Sequence, residues 1–349
     1  MQGLAEVWDT LLGLRGEDAL NNSFQWITTW WKHFARGKEL FVLIVEDNHH
    51  IAGIAPLYLA RFRRKGVLSF QRAYFLGEGM SDYGGISAKG DRDAVVAALL
   101  DHLRRAGVWH ELRLHNIPET SGDFERLCAA GHRLGYAVDR DVRKPTHCFY
   151  VDTSGDFQSY LKTTSRDVKK DVARRLNLIE DAGGYELKFT GQISLSDLLR
   201  AMGDIHAKRQ GELGRESFFA REDERGFIQE IAALYHERGW LDYVAMRMNG
   251  EIVAYMFGFR HGGVRYSWNV GFDPRRNELS LGKVLAYLWI EDAFRRKEIT
   301  EFNFMRGDSE FKRKFTERQR WNHHFIVRHP RSLYVRGIEI AEKVLKSRE

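Results

Sequence analysis

Residues 241–254 read Leu241-Asp242-Tyr243-Val244-Ala245-Met246-Arg247-Met248-Asn249-Gly250-Glu251-Ile252-Val253-Ala254. An Asn-Gly pair between two β-rich runs is a strong hairpin signal, because both turn positions need positive φ. The spacing predicts strands over 241–248, 251–260 and 264–270, then a helix over 281–296 and a short strand over 301–304. The 281–296 helix is apolar almost all round, which places it between packed elements. Ahead of the hairpin, helices are expected over 165–182, 193–209 and 223–238. Val168, Val172, Leu176 and Ile179 give the first of these a buried stripe, and Gly183-Gly184 ends it.

The first half has a similar order. A helix over 24–34 carries Trp26, Trp30, Trp31 and Phe34. Strands follow over 40–45, 51–60 and 67–76, with an Asp47-Asn48 turn between the first two. A helix over 91–106 and a strand over 111–115 come next. Leu40-Phe41-Val42-Leu43, the turn and Ile51-Ala52-Gly53 align with Tyr243-Val244-Ala245-Met246, Asn249-Gly250 and Ile252-Val253-Ala254. This whole-domain repeat, interrupted at Asp152, Thr153, Ser154 and Gly155, predicts domains over 1–152 and 153–349. Each is expected to be a mixed α/β (α+β) unit with a hairpin-rich sheet, with a cleft between the two.

Composition removes several classes. The 349 residues are 43% hydrophobic and 29% charged, which excludes a disordered or collagen-like chain. Two cysteines, Cys128 and Cys148, give neither a disulfide framework nor a CxxC zinc site, and no metal is expected. His323-His324 would point to opposite faces of a strand. The longest apolar run, Val284 to Ile290, is far short of the about 20 residues a spanning helix needs. The start, Met1-Gln2-Gly3-Leu4-Ala5-Glu6, shows no signal-peptide pattern, so a cytoplasmic location is expected. Neither GxGxxG nor GxxxxGK[ST] occurs, which disfavours dinucleotide and P-loop chemistry. Net charge is +6, with basic clusters at 61–65, 162–175 and 306–320. These read either as solvated faces or as a surface for phosphate, acidic glycan or tRNA. No DNA-binding motif is present.

Four stretches resemble tandem GNAT-fold acyltransferases. They are Ser23-Phe24-Gln25-Trp26 with Trp30-Trp31, then Ser81-Asp82-Tyr83-Gly84, then Ser165-Arg166-Asp167-Val168-Lys169-Lys170 through Arg174-Arg175-Leu176. The fourth is the C-terminal run of Ser280-Leu281-Gly282-Lys283, Phe302-Asn303-Phe304-Met305-Arg306-Gly307-Asp308 and Phe311-Lys312-Arg313-Lys314-Phe315. The chain is similar in particular to the CelD-like, cellulose-biosynthesis-associated family, a relative of the Fem-type aminoacyl ligases. The resemblance implies an acyltransferase working on an amine or hydroxyl of a sugar, envelope or polysaccharide precursor, with acyl-CoA as donor. Two alternatives accompany it. One is a Fem-type ligase taking an aminoacyl-tRNA, motivated by the basic helix. The other is a non-catalytic binding protein of a polysaccharide-producing complex.

Candidate site residues follow. Ser280, Leu281, Gly282 and Lys283 open a helix whose free N–H groups can hold a phosphate, with Ser280 as N-cap the structural alternative. One glycine stands where the family carries two small positions. Acyl transfer needs a proton acceptor and a group to hold the oxyanion. Asp308 or Glu310 can be the base, and Lys312 can neutralise the oxyanion, as the resemblance to the Phe-Lys motif of Fem-type ligases implies. Arg306 lies beside them. Asp82 and Tyr83 in a glycine-rich loop, Arg166 on the basic helix, and His206 with Arg209 one turn apart are candidates for substrate binding.

Overall fold

A computed structural model describes residues 4–12, 19–64, 68–138, 144–164, 166–330 and 337. The chain sorts into two compact units, one of Met1–Thr146 with the chain from Trp321 onward, the other of His147–Arg320.

The first unit opens with helices α1 (Ala5–Leu12) and α2 (Phe24–Phe34). Strands β1 (Lys38–Leu40), β2 (Leu43–Asp47), β3 (His50–Ala55), β4 (Leu57–Arg64), β5 (Leu68–Phe75) and β6 (Ser87–Ala88) follow. Helix α3 (Arg92–Arg105), β7 (Glu111–Pro118) and α4 (Asp123–Arg133) complete the run. Two strands expected as single are each split. Pro56 has no N–H to extend a ladder, and it separates β3 from β4. Opposite it, Phe41 and Val42 separate β1 from β2, so β2 and β3 leave for a second sheet with β6, while β1 pairs with β4. The hairpin turn expected at Asp47-Asn48 sits one residue on: Asp47 still pairs with His50, and Asn48 and His49 take φ 47° and 65°, the primed two-residue geometry. Val95, Val96, Leu99, Leu100 and Leu103 of α3 share a core with residues of β2 to β5 and β7, together with Trp109 and Phe325.

The second unit holds β8 (Thr146–Asp152), α5 (Phe157–Thr163), α6 (Arg166–Asp181), β9 (Glu186–Phe189), α7 (Leu195–Glu212) and α8 (Glu222–Glu237). Strands β10 (Leu241–Met248), β11 (Glu251–His261) and β12 (Val264–Phe272), helix α9 (Leu281–Arg295), β13 (Glu301–Arg306) and the single turn α10 (Glu310–Arg313) follow. Its strands run β8-β13-β12-β11-β10-β9. Nearly all of β10 is buried, because helices cover both faces, so its sequence is continuous rather than alternating. Its buried charge is Asp242, while Arg247 is half-buried. Asp242 bonds Arg265 at 2.8 Å, and Arg265 also reaches Asp292 at 2.9 Å and the carbonyl of Trp289. With Arg265 fully buried, this triad ties β10, β12 and α9 together. Most of α9 is enclosed, as its all-round apolar surface predicts.

One topology recurs in both units. Each has a single parallel pair inside a mostly antiparallel sheet, with a helix in the crossover, and each pair is in register for three residues. In the first, Arg72–Tyr74 lies against Glu111–Arg113; in the second, Val264–Tyr266 lies against Glu301–Asn303. A last strand, β14 (Gln319–Arg328), returns to the first unit, where Asn322–Arg328 pairs with β7.

Candidate functional site

In the second unit the parallel ladder between β12 and β13 stops at Tyr266 and Asn303. Beyond it, β12 continues to Phe272 bonded to β11, and β13 to Arg306 bonded to β8. The carboxyl ends of neighbouring parallel strands are where α/β sheets place ligands. Val270, on the parted stretch of β12, is 36% exposed although apolar.

The end of β13 is shaped by a bulge. Its register against β8 slips between Asn303 and Arg306, Met305 sits at φ 58°, and Gly307 at φ 110°, a conformation only glycine takes without strain. The Oδ1 of Asn303 accepts the Met305 N–H at 2.7 Å, the Asx device that lets a non-glycine residue hold positive φ. Phe311 and Phe315 pack on Phe304 and seat α10 against the strand. That seating brings the Lys312 ammonium to the bulge, where it donates to the carbonyls of Met305 at 3.1 Å and Arg306 at 2.8 Å. Lys312 is half-buried, and Arg306 beside it is likewise half-buried. Asp308 is ion-paired with Arg313. Glu310 is exposed and paired with Lys314 at 2.7 Å, which holds its carboxyl below the ordinary range; the charge of Lys283 adds to this.

At the start of α9, Ser280 takes the cap position at φ 49° without a side-chain capping bond, so its alternative reading as a side-chain N-cap fails. Val284 and Lys283 donate to the Ser280 carbonyl, while the N–H groups of Leu281 and Gly282 have no acceptor among the described residues. Gly282 faces Phe272 closely: a Cβ there would lie 3.1 Å from the ring, a tight contact. Lys283 pairs with Asp171 of α6 at 2.6 Å. The Lys283 ammonium, then Arg174, hold the Asp171 carboxyl well below the usual carboxylate range. Arg175 bonds the Glu278 carbonyl as well as Asp171. Part of the basic face of α6, whose first residue is Arg166, is thus spent on binding the loop ahead of α9.

His206 and Arg209 come from α7. The His206 Nδ1 lies 2.8 Å from the Ser217 hydroxyl, and its ring packs on Phe218 and Phe219. Burial, then the Arg209 charge, push its pKa down. The Arg209 guanidinium lies 4.8 Å over the Phe272 ring, the ring that Gly282 faces. Asp82 and Tyr83 belong to the first unit. The Oδ1 of Asn21 accepts both their N–H groups, and Asn322 donates to the Asp82 carbonyl. Asp82 is partly buried, and the Tyr83 side chain is wholly enclosed.

The structure therefore brings Arg306, Asp308, Glu310 and Lys312 to one strand end and gathers Ser280–Lys283 and Arg209 around Phe272. Asp171 and Asn303 went unnoticed in the sequence. The signal for Asn303 was a polar residue inside the apolar run Phe302–Met305; Asp171, one acid among many bases, gave none. Among the described residues no cluster of His, Cys, Asp and Glu could hold a metal, and no helix is long and apolar enough to cross a membrane.

Residues 166–313 match the model of the acetyltransferase (GNAT) domain family. No curated protein matches the chain. Among solved structures the chain is similar to FemX, with a TM-score of 0.65 at 12% identity over 93% of this chain and 95% of that one. It is also similar to the C-terminal domain of a putative lysylphosphatidylglycerol synthetase from Agrobacterium fabrum, with a TM-score of 0.56 at 12% identity over 98% and 96%. A tandem GNAT protein from the clavulanic acid biosynthesis pathway gives a TM-score of 0.50 at 13% identity over 95% and 96%. At these identities the shared property is the fold: a mixed α/β GNAT fold that carries an acetyltransferase-type domain.

Proposed function

We propose that this protein is an acyltransferase that moves an acyl group from acyl-CoA to an amine or hydroxyl of a sugar or envelope precursor. The observation that carries this reading is the Lys312 ammonium, fixed on two carbonyls at the strand end that lies within the matched domain. In this reading the free N–H groups of Leu281 and Gly282 hold donor phosphate, with Lys283 beside them. Two N–H donors at one helix start suit a phosphate, with the Lys283 charge shared with Asp171. Arg209, over the Phe272 ring that Gly282 faces, stands beside this helix start, and His206 lies one turn earlier on α7. The acceptor nitrogen or oxygen attacks the thioester carbon, and its proton passes to a carboxylate. Asp308 and Glu310, ion-paired with Arg313 and Lys314, are the two carboxylates at this strand end. Lys312 balances the charge that develops on the carbonyl oxygen, and the carbon–sulfur bond then breaks to release the thiol. Asp82 and Tyr83 contribute to the first unit's loop, and of these two Asp82 has exposed surface for an acceptor.

An aminoacyl-tRNA donor is the second reading, supported by the FemX-like fold and by the lysines of α6. A non-catalytic role in a polysaccharide-producing complex is the third; it would survive substitution of Asp308 and Lys312. The test is a thermal-shift and thiol-release screen with acetyl-CoA and longer acyl-CoAs against amino sugars. Binding and release that disappear in Lys312→Met support the first reading. No shift and no release with any acyl-CoA sink it, and salt-sensitive tRNA binding in that case selects the second.

A further inference from the structure

We infer that Asn303, held by Glu301 and Arg320, is a positioning residue for the Lys312 ammonium; the inference rests on the acyl-transfer reading of Lys312 for its kinetic part only. Three side chains form a relay along the underside of the strand end. Arg320 grips Glu301 through two bonds of 2.9 and 2.7 Å, and its guanidinium stacks on Tyr150 at 3.9 Å. Glu301 in turn accepts from the Nδ2 of Asn303 at 3.1 Å. This orients the amide so that its Oδ1 faces the Met305 N–H, at 2.7 Å. Asn303 and Glu301 are both buried, and Arg320 is half-buried.

The purpose of the relay lies at its far end. With Met305 at φ 58°, two successive carbonyls, those of Met305 and Arg306, turn toward one point and accept from the same ammonium. In a regular strand successive carbonyls point to opposite sides, so a single Nζ could not bond both. The side chain of Lys312 has four rotatable bonds and would otherwise sample many positions. Holding a charge still before the reaction is what makes it effective against a developing oxyanion. An acid in place of Asn303 would put a second carboxylate against Glu301 and lose the Nδ2 donor, so the amide is the side chain the relay requires.

The test compares Asn303→Ala with Asn303→Ser, whose hydroxyl can accept the Met305 N–H in the amide's place. Two readouts are used. One is thiol release from acetyl-CoA with an amino-sugar acceptor. The other, independent of activity, is the side-chain methylene resonance of Lys312 in lysine-labelled protein, assigned by Lys312→Arg. In Asn303→Ala, kcat should fall about 30-fold or more with KM for acetyl-CoA within about twofold, and the Lys312 resonance should move toward that of a free lysine. Asn303→Ser should recover most of both. An unmoved Lys312 resonance in a folded Asn303→Ala protein, with kcat within about threefold of the parent, overturns the inference, as does a folded Asn303→Ser protein with the displaced resonance and low kcat expected of Asn303→Ala. Should the parent release no thiol while the resonance still moves in Asn303→Ala, the positioning role stands and the acyl-transfer reading falls.

Discussion

Lys312 and Asp273 are the two side chains whose chemistry can be read most directly as a measurement. Substituting Lys312 by Met removes the ammonium but keeps the aliphatic stem that packs beside the bulge. The proposed role predicts a loss in kcat of about 10²- to 10³-fold with little change in KM, checked by initial rates with acetyl-CoA. Asp273 is buried at the start of the turn that leads into α9, where it accepts from the Arg275 side chain and N–H. These bonds, chiefly those from the Arg275 side chain, hold its carboxyl down at about 2, against an ordinary value of 3.8. A carboxyl whose folded pKa is depressed contributes stability above its unfolded pKa and loses it as pH falls toward the folded one. Asp273→Asn should therefore cost about 2 kcal/mol at pH 7, with the difference from the parent shrinking between about pH 4 and pH 2, as urea unfolding at several pH values would show. At this scale the sequence was informative about which residue types cluster at 306–312, since the Gly-Asp and Phe-Lys spacing is visible in it. It was silent on Asp171, because an ion pair across 112 positions leaves no local trace.

Elements obey their patterns where burial is one-sided and depart from them where it is not. The stripe on α6 and the all-round apolar surface of α9 were legible because helical periodicity reports how many faces are covered. The split of the first unit's strands was less so: Pro56 signals a break but not that the chain then changes sheets. The lone Asp242 in an apolar strand announces a buried partner without naming it, and Arg265 lies 23 positions away. Removing that partner alone leaves the buried Asp242 with a hydroxyl bond from Thr190 in place of its ion pair, and Asp292 with Arg296. Arg265→Leu should destabilise the second unit by about 3–5 kcal/mol in urea unfolding. At the mouth of α9, Gly282→Ala would press a methyl group on Phe272, the ring beneath Arg209. Raised KM for acetyl-CoA with a small change in melting temperature is the expected result; unchanged KM would remove this helix start from the donor site.

Each of the two units contains a hydrophobic core of its own. Duplicated topology was legible as a repeated hairpin–strand–helix–strand order, because each copy repeats the same local signals. The destination of 319–328 was not, since a strand's sequence does not say which sheet accepts it. A fragment of residues 147–320 should unfold cooperatively by itself. A fragment of residues 1–146, which lacks the partner of β7, should be aggregation-prone until a peptide covering 319–330 is supplied, as light scattering and circular dichroism would report.

Pairing of β14 with β7 also sets a timetable for synthesis. The ribosome makes the chain from its amino end, so more than half of the polypeptide emerges between β7 and the strand that completes its sheet. The portion translated first must wait with a bare edge, while the portion translated second can close as soon as it clears the exit tunnel. Nascent copies of this protein are therefore most exposed to chaperones, and to each other, through the very segment that was made earliest.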